Sequence, residues 1–146
     1  MNIRLRAASD DHALSVLWER SVRATHDFIS EDDIQLLLPH VRDAYLPSLE
    51  VWLYENPDRS PAGFIATGGD NVEMLFIAAD QRGQGIGRRL LDHVKSRHPT
   101  LSVDVNEQNP QAHGFYRYYG FVDVSRSETD GQGRPFPWVH MVLKQS

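Results

Sequence analysis

Asp80-Gln-Arg-Gly-Gln-Gly-Ile-Gly-Arg-Arg-Leu-Leu91 decides the reading of this chain. The run ahead of it, Met74-Leu-Phe-Ile-Ala-Ala79, is apolar throughout and predicts a buried strand. Behind it, Ile86, Leu90, Leu91 and Val94 are spaced to line one face of a helix. Gly83, Gly85 and Gly87 therefore sit where a strand turns into a helix. Glycine admits a positive φ and lets another group come close to the backbone. The free N–H groups and the macrodipole of a helix N-terminus favour an anion, and phosphate is the commonest biological one. Arg82, Arg88 and Arg89 flank the turn. Cations in a first helical turn oppose the dipole at about 0.3–1 kcal/mol each, and a bound polyanion would offset that cost. The plain alternative is a glycine-rich turn with solvated arginines. Two familiar phosphate loops are excluded by spacing. No Gly-Lys pair occurs, so there is no Walker A loop. Counting from Gly83 or Gly85, the last glycine of the dinucleotide fingerprint falls on Arg88 or Leu90. What stands is Arg82-x-x-Gly85-x-Gly87 between strand and helix.

A chain of 146 residues is long enough for one domain with a real core, and we expect a single domain over 1–146. Its 40% hydrophobic and 24% charged content is ordinary for a soluble globular protein. A net charge of −5 argues against nucleic acid or an anionic membrane as the partner, and makes the arginines at 82–89 a local departure. There is no cysteine, hence no disulfide framework and no cysteine nucleophile, which suits a reducing compartment. No apolar run approaches ~20 residues, so no membrane span is expected. Met1-Asn-Ile-Arg-Leu-Arg6 alternates like a strand and lacks a signal-peptide core. Cytoplasm is the expected location, and a monomer or homodimer the expected state.

In chain order, Ile3, Leu5 and Ala7 alternate with polar residues and predict a half-buried first strand. Ser9 or Asp10 can cap a helix to about Ala24, with Leu14, Leu17, Trp18 and Val22 on its buried side. Ser30 with Asp33 predicts a second helix start. Pro39 and Pro47 should interrupt that segment, leaving a short helix near 31–38 and a broken piece near 40–46. Strands are expected at 50–54, 62–67 and 71–78 as an antiparallel meander. The glycine turn and a helix to about Arg97 follow. Leu101, Val103 and Val105 alternate in a strand that the helical crossover makes parallel to its predecessor. Asn109 is a good N-cap, Pro110 a good first helical residue and Gly120 a good C′ residue for the next helix. Strands at 121–127 and 136–143 close the chain. The fold class is α/β (α+β): one mixed, mostly antiparallel sheet of about seven strands with a splayed parallel pair, the fourth and fifth, and about four helices.

Two stretches together resemble the GCN5-related N-acetyltransferase (GNAT) superfamily. Arg82-x-x-Gly85-x-Gly87 after a strand looks like its acetyl-CoA pyrophosphate loop. Asn109-x-x-Ala112-x-x-Phe115-Tyr116-x-x-x-Gly120-Phe121 looks like its second signature. The resemblance covers the whole chain. It is closest to the small bacterial YjaB-type branch, through Ala24-Thr-His-Asp-Phe28, Val105-Asn-Glu-Gln-Asn109 and Gly133-Arg-Pro-Phe-Pro137. It implies an enzyme that passes an acetyl group from acetyl-CoA to a primary amine by direct attack in a ternary complex. The alternatives are a non-catalytic acyl-CoA-binding sensor and an acyltransferase using a longer acyl-CoA. Acetyl-CoA would lie between the splayed strands. Its pyrophosphate would rest on the backbone amides of Arg82, Gly83, Gln84, Gly85, Ile86 and Gly87, beside Arg88. Its pantetheine would pair with the strand edge at Leu75, Phe76 and Ile77. Asn109, Ala112 and Phe115 would contact it from the helix that Asn109 caps.

Amide formation needs an unprotonated amine, an oxyanion donor and a proton for the departing thiolate. The resemblance places the thiolate's proton donor at Tyr116, with Tyr118 and Tyr119 as fallbacks. On helical spacing alone, Tyr116 reads as a core aromatic beside Ala112, Phe115 and Tyr119. The backbone N–H of Ile77 could serve the oxyanion. Candidates for the general base are Glu107, which follows the fifth strand, Glu73, which shares strand parity with Leu75 and Ile77, His26, Asp27, or a bound water. Each of these side chains also has the plain reading of a solvated carboxylate or a loop histidine. The acceptor amine, on a small molecule or a peptide, is expected against His26, Asp27, Phe28, Arg134 and Trp138, and the acidic chain favours a cation. For Arg134-Pro135 simple turn chemistry is the plain alternative. The histidines show no ligand spacing, so no metal is expected.

Overall fold

The structure, a computed structural model, describes residues 2–25, 29–130 and 133–143. Its strands are β1 (Asn2–Leu5), β2 (Glu50–Glu55), β3 (Pro61–Gly68), β4 (Asn71–Ile77), β5 (Leu101–Asn106), β6 (Phe121–Ser127) and β7 (Trp138–Leu143). They form one seven-stranded sheet in the order β1-β2-β3-β4-β5-β7-β6. Every neighbouring pair is antiparallel except β4 and β5. The helices are α1 (Asp11–Thr25), α2 (Glu31–His40), α3 (Ile86–Lys95) and α4 (Pro110–Tyr119). No helix among the described residues is long and apolar enough to cross a membrane.

The sheet separates two cores. On one face Leu14, Leu17, Trp18 and Val22 of α1 pack with Ile34 of α2 against Val51, Leu53, Phe64 and Ala66. On the other, Ile86, Leu90, Leu91 and Val94 of α3 pack with Tyr116 of α4 against Ile65, Val72, Val103 and Met141. All four α3 side chains are buried. At about 1.5–3 kcal/mol for each fully buried aliphatic side chain, they hold the N-terminus of α3 firmly against the sheet. The face of β5 and β7 opposite that second core carries the half-buried Asp104, Asn106, Trp138 and His140, which belong to neither core.

Two expectations are corrected. Pro39 does not break its helix. The chain stays helical from Glu31 to Ser48, through a π-helical turn at Val41–Tyr45 and a last turn at Leu46–Ser48. The proline removes the one hydrogen bond to the Gln35 carbonyl, and the helix continues past it into the π-helical turn. Leu5 is 53% exposed, at the end of the edge strand β1. The Ser30 cap is present, its hydroxyl accepting from the Asp33 N–H at 3.1 Å.

Candidate active site

β4 and β5 pair only at Asn71↔Ser102 and Val72↔Val103. Beyond that they part. The cause lies in β4: Thr67 pairs with Val72 and Ala66 with Met74, which leaves Glu73 as an extra residue without a partner on β3. A bulge of this kind bends its strand and increases its twist. The Ala78 N–H donates to the Ala62 carbonyl at 2.8 Å, so by strand alternation the amides of Ile77 and Leu75 point the other way, into the gap. The Ile77 carbonyl is taken by the Ser21 hydroxyl at 2.8 Å.

A groove of about 590 Å³ runs along this open edge. It is lined by Leu75, Phe76 and Ile77, by Arg82, Gly83, Gly85, Ile86, Gly87 and Arg88, and by Asn109, Ala112, Phe115 and Tyr116. Gly85 is the N-cap of α3 with φ 80°, and Gly83 has φ 79°, both in the left-handed region. A Cβ at Gly85 would meet nothing within 4 Å, so its glycine serves the backbone and keeps the groove open. Gly87 differs: a Cβ there would lie 3.2 Å from the Phe115 ring, so this glycine lets α3 and α4 pack closely. The first α3 bond to Gly85 is from Arg89, which leaves the amides of Ile86, Gly87 and Arg88 directed out of the helix end. Arg89 is turned away, its Nη1 donating to the Tyr54 hydroxyl at 2.7 Å. Arg82 spans to Gln111 at 2.9 Å. Gln84 is exposed and outside the lining.

A second cavity of about 580 Å³ lies on the opposite face. Trp18, Tyr45, Phe136 and Trp138 wall it, with Asp33, Glu73, Asp130 and Arg134 among its polar residues. A cleft of about 130 Å³ between β4 and β5 joins the two spaces, sharing Tyr116, Asn109 and Leu75 with the groove and Glu73, Met74 and Asn106 with the cavity. Tyr116 is buried, edge-on to Phe115 and Phe121 with ring centroids 5.3 Å away in each case. Burial pushes its phenol above the ordinary tyrosine range.

The structure brings some expected residues together and removes others. Arg134 and Trp138 line the far cavity. Glu73 lines it too, but out of phase with Leu75 and Ile77, because the bulge breaks the expected parity. Glu107 lines neither space. It pairs with Arg126, whose hydrogen bond holds its carboxyl below the ordinary range. Tyr118 is 88% exposed, and the Tyr119 hydroxyl donates to Asp92 at 2.6 Å, so neither fallback faces the gap. His26, Asp27 and Phe28 lie outside the described residues. Sequence reasoning misses Ser21. That residue continues the buried stripe of Leu14, Leu17 and Trp18, and a hydroxyl on such a stripe signals a hidden partner.

An open parallel pair, a glycine-capped helix N-terminus beside it and a buried tyrosine at the join are the features that the GNAT resemblance implies. Residues 22–145 match the family model described as Acetyltransferase (GNAT) domain. The chain belongs to this family and is an acetyl-CoA-dependent N-acetyltransferase. It is similar to peptidyl-lysine N-acetyltransferase YjaB of Salmonella typhimurium, 40% identical over 142 residues and 97% of each chain. It is 34% identical over 138 residues to peptidyl-lysine N-acetyltransferase YiaC of Escherichia coli, spanning 94% of this chain and 93% of that one. The solution structure of apo-form YjaB from Escherichia coli matches with a TM-score of 0.90 at 39% identity, covering 99% of this chain and 98% of the other.

Proposed function

We propose that a single N-acetyltransferase domain over 1–146 acetylates the side-chain amine of lysine in a peptide or protein, by direct attack in a ternary complex. The observation that carries this reading is the cleft, which joins a groove with helix-end amides to an acidic, aromatic cavity across the sheet. A long alkyl chain ending in an ammonium suits that cavity. The names of YjaB and YiaC support the same acceptor.

In this reading the amides from Arg82 to Gly87 hold the pyrophosphate, and Leu75 and Ile77 hold the pantetheine by their inner edge. Asn109, Ala112 and Phe115 close the groove. A lysine amine has an ordinary pKa near ~10.4 and arrives as ammonium. Glu73, lining both the cleft and the cavity, takes its proton, a role for which Glu107 is badly placed. The Ile77 N–H supports the tetrahedral oxyanion. Tyr116, which lines both the groove and the cleft, protonates the departing thiolate, its hydroxyl being intact at neutral pH as in any tyrosine.

The test is a panel of acceptors with acetyl-CoA, following free thiol: Nα-acetyllysine amide, a lysine peptide, spermidine and free amino acids. Release led by the lysine compounds is expected. Release led by spermidine would move the acceptor class. Binding of acetyl-CoA without release from any amine would make the protein a sensor, and faster release from succinyl-CoA would change the donor.

A further inference from the structure

We propose that Asp104 is a second anchor for the acceptor's ammonium, in the cleft that Glu73 also lines, and that His140 and Ser127 position it. The identity of the cation rests on the lysine reading above.

Glu73 and Asp104 directly follow Val72 and Val103, the last paired residues of β4 and β5. Both line the cleft. Val103 and Val105 are buried against α3 and α4, so alternation turns Asp104 to the cavity side. His140 is its register partner on β7. The His140 Nδ1 meets Asp104 Oδ1, and its Nε2 lies 2.7 Å from the Ser127 hydroxyl. No described residue hydrogen-bonds to Oδ2 of Asp104, which leaves that oxygen for a donor in the cleft. Trp138 stands edge-on to His140 at 6.3 Å and walls the cavity.

The other charges around this pair are accounted for. Glu73 lines the same cleft from β4, its Oε1 accepting from the Asn71 side-chain amide at 3.0 Å. Asp33, Asp130 and Arg134 are the remaining charged residues of the cavity. Arg126 of β6 is engaged by Glu107, and Asp123 by His113 and Arg117. With the imidazole Nδ1 on Oδ1 and the imidazole itself held by Ser127, the Asp104 carboxylate is fixed in place and keeps Oδ2 as its remaining acceptor.

Calorimetry on the protein loaded with free coenzyme A tests this without turnover, comparing Nα-acetyllysine amide with Nα-acetylnorleucine amide, which lacks the ammonium. Asp104→Asn should weaken the lysine compound by about tenfold to a hundredfold, as for a lost hydrogen bond to a charged group. The norleucine compound and coenzyme A should bind as before. His140→Ala should weaken the lysine compound but not the norleucine compound, and His140→Asn, whose amide can still donate to Asp104 Oδ1, should recover part of that loss. Equal weakening of both compounds, no weakening of either, or unchanged lysine-amide affinity in His140→Ala would overturn the proposal. If wild-type protein prefers spermidine, the lysine reading fails, and the same Asp104→Asn comparison with spermidine still decides the anchor.

Discussion

The two faces of the sheet are built differently. The groove proposed for the cofactor draws on one short stretch, Arg82 to Arg88, and on the start of α4. Its donors are backbone amides, which need only a helix end and glycines that stay out of the way. The far cavity draws Trp18, Tyr45, Glu73, Arg134 and Trp138 from elements spread along the chain. The recognition proposed there draws on side chains that only the fold brings together. Substitutions should therefore separate the two: one face fails in acetyl-CoA binding, the other in turnover with the cofactor still bound.

The largest effect is expected at Gly85→Val. A β-branched residue at φ 80° is strained by roughly 1–2 kcal/mol, and its side chain would enter the open groove. Acetyl-CoA binding measured by calorimetry should be abolished while circular dichroism shows a folded protein. Unchanged affinity would remove the groove from the cofactor site.

Next comes a contrast between two carboxylates. Glu73→Gln should lower turnover by ~10²–10⁴ with acetyl-CoA affinity unchanged, as for loss of a general base. Glu107→Gln should leave turnover near wild type, since that carboxylate is occupied by Arg126. The reverse outcome would return the base to the end of β5.

Tyr116→Phe should cost ~10²-fold in turnover, the low end for a general acid, with melting temperature and acetyl-CoA affinity near wild type. Lost stability with activity intact would make Tyr116 a packing residue only. Because burial raises this phenol in the folded state, its contribution to stability is full below the ordinary tyrosine pKa of ~10 and is lost as pH rises beyond it. A pH melt of wild type against Tyr116→Phe should show the variant losing less stability above that point.

The smallest effect is expected at Ser21→Ala, which removes the hydroxyl on the Ile77 carbonyl. Stability should fall by about 1 kcal/mol, a melting shift of ~2–4 °C. A loss of acetyl-CoA affinity larger than the loss of stability would show that Ser21 also touches the cofactor.

The groove was legible in the sequence because local rules govern it. Glycine spacing, an N-cap at Asn109, a proline at 110 and the α3 stripe each act within a few residues, and the structure repeats them. The sequence alone also determined the strand set and the parallel β4–β5 pair, since hydrophobic period and crossover length are local too. Tertiary structure alone decided which carboxylates line the cleft. A bulge shifts Glu73 out of the phase that strict alternation assigns, and an arginine on a different strand occupies Glu107. It also joined Asp104, His140 and Ser127 from three strands. Register and long-range pairing are set by how the whole sheet packs, and no short window of residues carries that information.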